Sequence, residues 1–249
     1  MAVVVLTAGC GAGSDDEPWK AVGDPSAPGV DGSAKPGRVF SDGDLAQQLA
    51  PSETFGKGVK AGRLHEGKFN TDWGLRSLDW DECEPVEDAE PFASYMRELG
   101  AYRGASAQQT AVKWKRPQDK TDPDEGPEVE VIQSLVSMRG TDAKRYLKLQ
   151  HAIYSHCAVV GYDAEAGIAE DHNEVARLEG VGDEALLQST AVTGDDGAES
   201  EYDSPRRYTV EARVGGVIVS IGSHHDKDKV IAWAALLARG VGKDLYGTR

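Results

Sequence analysis

Two valine-rich runs, Tyr208–Val214 and Val217–Ile221, separated by Gly215-Gly216, constrain the fold more than any other feature of the chain. A two-residue connection joins such runs as an antiparallel hairpin, and glycine accepts the positive φ that so tight a turn demands. Both glycines are expected to use it. Beyond the hairpin, Asp226 is placed to cap a helix that carries Val230, Ile231, Trp233, Ala234, Leu237 and Val241 on one stripe. The same reading runs back along the chain. Further strands are expected at Gln109–Lys115, Glu128–Met138 and 184–193, the second alternating through Val129, Val131, Gln133 and Leu135. Helices are expected after Ser41 (Leu45, Ala46, Leu49, stopped by Pro51) and at 88–103 around Phe92, Tyr95, Met96 and Leu99. Another, capped by Thr141 or Asp142, runs to about Cys157 with Tyr146, Leu149, Ile153 and Cys157 in one stripe. Glycine-rich residues 53–80 read as strands and turns, and 117–127 and 194–201 as charged loops. The expected architecture is α+β, a single domain over 39–249 with a mostly antiparallel sheet, helices packed on one face, and one disulfide.

The N-terminus bears on compartment. Met1-Ala-Val-Val-Val-Leu-Thr-Ala-Gly-Cys10 is a short apolar run ending in small residues before a cysteine. It resembles the lipobox of bacterial lipoproteins, here Leu6 to Cys10, in which a signal peptidase cuts before a lipidated Cys. Thr7 stands where the family usually has Leu, a basic segment is missing, and the apolar stretch is short. Residues 1–9 therefore read as a signal-peptide remnant whose true start lies upstream. Residues 10–38, rich in Gly, Pro, Asp and Ser, read as the lipidated Cys10 and a flexible tether. The rival reading of Gly9-Cys10-Gly11-Ala12-Gly13 as a dinucleotide-binding turn needs a helix directly after it. Asp15, Asp16, Pro18 and then Pro25, Pro28 and Pro36 offer none.

Three cysteines occur, Cys10, Cys83 and Cys157. With Cys10 lipidated an even pair remains, as an oxidising exterior favours. A Cys83–Cys157 bridge would close a loop of about 75 residues, contributing about 4 kcal/mol in the chain-entropy model. The alternative is two unrelated buried thiols. Trp80, three residues before Cys83, is placed to pack on the bridge.

The formal net charge of −15 excludes a nucleic-acid partner, whose phosphates require a basic surface. No apolar run approaches the ~20 residues of a membrane-spanning helix. Catalytic signatures are missing too. Gly62-Arg-Leu-His-Glu-Gly67-Lys68 matches a phosphate-binding loop until its eighth place, where Phe69 replaces the required Ser or Thr, so a surface turn is expected. His224-His225-Asp226 reads as a solvated turn, since adjacent histidines in extended chain diverge. His151 and His156 are five apart and do not share a helix face, while His65 and His172 fall in expected loops. Asp122, Asp124 and Glu125, like Asp195 and Asp196, lack the spacing of a calcium loop. Neither an enzyme, a cofactor nor a metal site is expected.

Three motifs in order, Trp80-x-x-Cys83, Leu178-Glu-Gly-Val-Gly-Asp-Glu-Ala185 and Arg213-Val-Gly-Gly-Val-Ile-Val-Ser220 before an Ala-rich helix, resemble the PknH-like extracellular sensor domain of actinobacterial kinases and lipoproteins. The resemblance spans roughly residues 40–245 and implies a disulfide-bonded α/β domain with a broad cleft for an extracellular ligand. The residues themselves give the 180–185 segment a local role: a glycine turn, with Asp183 satisfying nearby backbone donors. The function expected is a lipid-anchored, non-catalytic, extracytoplasmic sensor-like lipoprotein on the cell membrane, taking a small-molecule or envelope ligand. The alternative is a structural or protein-interaction lipoprotein of the cell envelope, its acidic loops meeting a basic protein partner.

Overall fold

The computed structural model describes residues 19–20, 38–70, 94–95, 97–99, 101–113, 128–164, 167–194 and 206–248. Cys10, Trp80, Cys83, the expected tether apart from Trp19, Lys20 and Arg38, and both acidic loops apart from Gly194 lie outside the described residues. The strands are β1 (Trp19–Lys20), β2 (Lys60–Asn70), β3 (Arg103–Lys113), β4 (Glu128–Ser137), β5 (Val159–Ala164), β6 (Gly167–Glu179), β7 (Glu184–Gly194), β8 (Arg207–Val214) and β9 (Val217–Ser223). The helices are α1 (Asp42–Ala46), α2 (Gly140–His156) and α3 (Lys227–Tyr246), with a 3-10 turn at Ser52–Phe55.

Two meanders build one sheet. β2–β3–β4 runs antiparallel to its end, α2 crosses over, and β5 to β9 return antiparallel so that β9 pairs with β4. The resulting order is β1-β6-β7-β8-β9-β4-β3-β2, with β5 also on β6 and only the two-residue β1 parallel to its neighbour. The mostly antiparallel α+β expectation therefore holds. The expectation of helices on one face does not. Alternation sends Val217, Val219 and Ile221 of β9 into a core with α1 and α3, while Ile218 joins a second core under α2. β4 divides the same way: Val131 and Leu135 face α3, and Val136 faces α2. The sheet carries apolar residues on both faces, so each requires its own helical cover.

The α3 face is sealed by Val230, Ile231, Ala234, Leu237, Ala238 and Val241, all buried. Burying each large aliphatic side chain contributes about 1.5–3 kcal/mol. Phe55 meets Trp233 edge-on at 5.4 Å and Phe40 meets Tyr246 at 5.3 Å, closing that core at the 38–55 segment. Gln133 is almost wholly buried there and spends both ends of its amide on one backbone unit: Ala50 N donates to Oε1 at 2.8 Å, and Nε2 donates to Ala50 O at 2.9 Å. Buried polar groups demand such pairing.

Caps follow the sequence in two of three cases. Ser41 and Asp44 form a reciprocal capping box on α1, and Asp226 Oδ1 accepts from Asp228 N on α3. Ser41→Ala should cost about 1 kcal/mol, read as a fall of about 2–4 °C in the thermal midpoint; an unchanged midpoint would show the box to be idle. At α2 neither Thr141 nor Asp142 is the cap. The helix starts at Gly140, and its N-cap Arg139 makes no side-chain cap bond. In the 88–103 segment, residues 94–95 and 97–99 are helical and Leu99 is fully buried. The chain then enters β3 at Arg103, six residues before the expected strand start.

Only Gly215 of the hairpin pair has positive φ, +61°. Positive φ at the first central position alone is the pattern of a type II′ turn, which needs one such glycine. Gly216 is required for space instead. Its N–H donates to the Tyr246 hydroxyl at 2.9 Å, its carbonyl accepts from Met138 N at 2.9 Å, and a Cβ there would run into the Met138 carbonyl oxygen.

Candidate functional site

Under α2 the sheet face has two halves. Toward one end it is apolar: Val136, Ile218 and Leu186 pack with Tyr146, Leu149 and Ile153 of α2 and with Leu99. One step further along the strands it turns polar. The register places His65 of β2 opposite Gln108 of β3, Gln108 opposite Ser134 of β4, Ser134 opposite Ser220 of β9, and Ser220 opposite Glu211 of β8. Ser134 stands two residues from Val136, and Ser220 two from Ile218, so both face the α2 side. At the ~4.8 Å spacing of adjacent strands the row spans about 19 Å. Gln108, Ser134 and Ser220 are half-buried. A cavity of about 190 Å³ lies at its β2–β3–β4 end, lined by His65, Lys68, Phe69, Gln108 and Ser134 among others.

Glu211 closes the other end. It is 8 % exposed, and the Tyr146 hydroxyl donates to its Oε1 at 3.2 Å while Gln188 Nε2 donates to Oε2 at 3.3 Å. Gln150 Nε2 donates in turn to the Tyr146 hydroxyl at 2.8 Å. Burial pushes the Glu211 carboxyl up to about 7, and its two neutral donors only partly offset that. Burial, with the Glu211 charge beside it, raises Tyr146 as well, and by the same two causes Tyr154 is pushed up to about 12. The row therefore offers neutral hydroxyl and amide partners along its length and one carboxyl that titrates near neutrality. That is hydrogen-bonding chemistry suited to a polar ligand laid across the strands.

A second arrangement explains the glycine motif. Gly180 and Gly182 have φ of +76° and +63° and turn β6 into β7, so that Asp183 N donates to the Arg213 carbonyl at 2.7 Å. Asp183 Oδ2 accepts from Arg213 Nη1 at 3.1 Å and from Gly215 N at 2.7 Å, with the two side chains 0 % and 2 % exposed. Asp183 thus serves two donors of the β8–β9 hairpin, the Arg213 guanidinium and the Gly215 backbone N–H. Two of the three motifs that carried the resemblance, 178–185 and 213–220, are one interlocked structural unit.

The histidines come apart. His65 lies in β2 and His172 in β6, not in loops, and Gly62–Lys68 is extended strand, not a surface turn. His172 Nε2 sits 3.1 Å from Glu170 Oε2. His225 is held at 2.6 Å from Glu130 Oε2 and packs edge-on to Trp233 at 5.6 Å, so it is not a freely solvated turn residue. His151 is lowered by burial and by the Arg177 charge. Among the described residues no three His, Cys, Asp or Glu side chains group closely enough to hold a metal ion, and no helix is long and apolar enough to cross a membrane. Cys157 is fully buried, is not a free thiol, and its carbonyl accepts from Asn173 Nδ2 at 3.2 Å.

Of the polar row, only His65 and Ser220 belong to motifs singled out in the sequence. Its trace there is the run of Gln108, Ser134 and Ser220 at the alternate positions of otherwise apolar strands, which is ordinary for a solvated sheet face. Only the cross-strand register makes it a row.

No protein-family model matches the chain, and no curated protein matches it. Among solved structures it is similar to the extracellular domain of PknH from Mycobacterium tuberculosis, with a TM-score of 0.52 and 12% identity over 84% of this chain and 100% of that one. The likeness is one of fold.

Proposed function

We propose that this chain is a lipid-anchored, extracytoplasmic, sensor-like binding lipoprotein without catalytic activity, its ligand laid along the His65–Glu211 row. The observation that carries the reading is that row: a polar, half-buried strip across five strands, on a fold similar to that of an extracellular domain. In this reading Cys10 bears the lipid, residues 10–38 tether the domain 39–249 to the membrane, and nucleic acid is no partner of so acidic a surface. A Cys83–Cys157 bridge belongs to it as well. Supporting the bridge are the complete burial of Cys157 and its bonded, non-thiol state at the end of α2. It would fasten α2, the helix that borders the row.

The test is the mass of protein extracted from native membranes, recorded natively and after denaturation. The denatured chain is expected to begin at Cys10 with a lipid mass added, and the native form to carry further mass that denaturation releases. Ser134→Trp, at the middle of the row, should abolish that further mass while leaving the lipid. An unmodified chain still carrying Met1 would overturn the export reading. Retention of the same native mass by Ser134→Trp would overturn the assignment of the row.

A further inference from the structure

We infer that a second site, separate from the polar row, binds a small oxyanion, a carboxylate or phosphate group, between α2 and the β6–β7 turn. A cavity of about 290 Å³ opens there, near the ~300 Å³ lower end of small-molecule sites. Leu147, Leu186 and Ala185 supply apolar lining, and Lys148, His151 and Arg177 bring basic groups to it from α2 and β6.

The acidic residues at the same cavity are Glu179, Asp183 and Glu184. Two of them are already matched by cations from outside the lining. Asp183 takes Arg213 at 3.1 Å, and Glu184 takes Lys144 at 3.6 Å together with Arg213 Nη2 at 3.6 Å. Setting Asp183 and Glu184 against Arg213 and Lys144 leaves Lys148 and Arg177 against Glu179 alone, all three of them exposed residues at the cavity's rim. The cavity thus holds a surplus of positive charge in a chain whose net charge is −15. His151 registers that surplus: burial lowers it first and the Arg177 charge lowers it further. Two basic groups turned toward one partly enclosed space repel, and an oxyanion between them removes the repulsion while supplying acceptors to both. The apolar lining suits a ligand whose anionic head carries a short apolar body. None of these residues belongs to the polar row, so this site stands or falls separately from the function proposed above.

The experiment follows the His151 imidazole by NMR in the full chain, titrated over pH with inorganic phosphate or acetate against sodium chloride of equal ionic strength. Phosphatidylglycerol and phosphatidylcholine vesicles form a second arm. With phosphate the His151 pKa is expected to rise by about half a unit or more, because a bound anion favours the imidazolium. Arg177→Gln should raise His151 in the ligand-free protein and abolish its response to phosphate. Lys148→Gln, an exposed change on α2, should weaken the response several-fold, and the His225 signal reports that each variant is folded. A response to free phosphate or acetate identifies a soluble oxyanion, and a response to phosphatidylglycerol vesicles alone identifies a lipid headgroup. A His151 pKa that moves no further in phosphate than in chloride, with no response to vesicles, would overturn the site. So would a response undiminished in Arg177→Gln.

Discussion

Arg213→Met should lower the unfolding free energy by about 3–5 kcal/mol, because it leaves the Asp183 carboxylate buried without its cation. Asp183 would keep the Gly215 amide as a donor, but one neutral N–H does not replace a guanidinium at 3.1 Å in a place where neither side chain is more than 2 % exposed. The effect should reach beyond one ion pair. Asp183 ties the β6–β7 turn to the β8–β9 hairpin, and Glu184 loses one of its two cations at the same time. The Asp183→Asn/Arg213→Met double variant should recover part of the loss, since it removes the orphaned charge together with its partner. Urea unfolding of the parent and the two variants decides the matter. A loss below about 1 kcal/mol for Arg213→Met would mean that the pair behaves as an exposed surface bridge.

Glu211→Gln should have the other large effect, and its sign depends on pH. The carboxyl is raised by burial from the ordinary value of 4.5 to about 7 in the folded state. Between those values the folded chain holds a proton that the unfolded chain has released, so stability falls as pH rises through this window. Below about pH 4.5 this group costs nothing, and above pH 7 its full cost applies, of the order of 3 kcal/mol. Glutamine has no such titration. The variant should therefore match the parent near pH 4.5, exceed it in stability at pH 8, and show a flatter profile between. Tyr146 and Gln188, which donate to the carboxylate, reduce the cost without removing it. Denaturation midpoints across pH 4–8 test this; parallel profiles for parent and variant would refute a carboxyl that titrates near neutrality.

Much of the fold is legible in the sequence. The hairpin around Gly215-Gly216, the stripe of α3, the stripe of α2 from Tyr146 to Cys157, and the alternation of β4 all rest on periodicity within one element, and each is found where expected. What failed was of a different kind. β5 and most of β6 are not legible as strands, because in β6 His172 and Glu174 on one face and Asn173 and Arg177 on the other break any apolar alternation. Their partners across β6–β7 satisfy them instead: Thr190 Oγ1 donates to Asn173 Oδ1 at 2.9 Å, and Ser189 Oγ to Glu174 Oε2 at 3.3 Å.

By itself the sequence determined the types of the elements and their order, since helix and strand periods are properties of neighbouring residues. It also determined the acidic balance, a formal net charge of −15. Tertiary structure alone decided that the sheet is covered on both faces, that Asp183 reaches Arg213, and that His65, Gln108, Ser134, Ser220 and Glu211 stand in one row. Those facts depend on which strands pair and in what register, and register is settled by contacts between residues far apart in the chain. A one-residue slip of β4 against β9 would turn Ser134 into the α3 core and erase the row, with every local signal in the sequence unchanged.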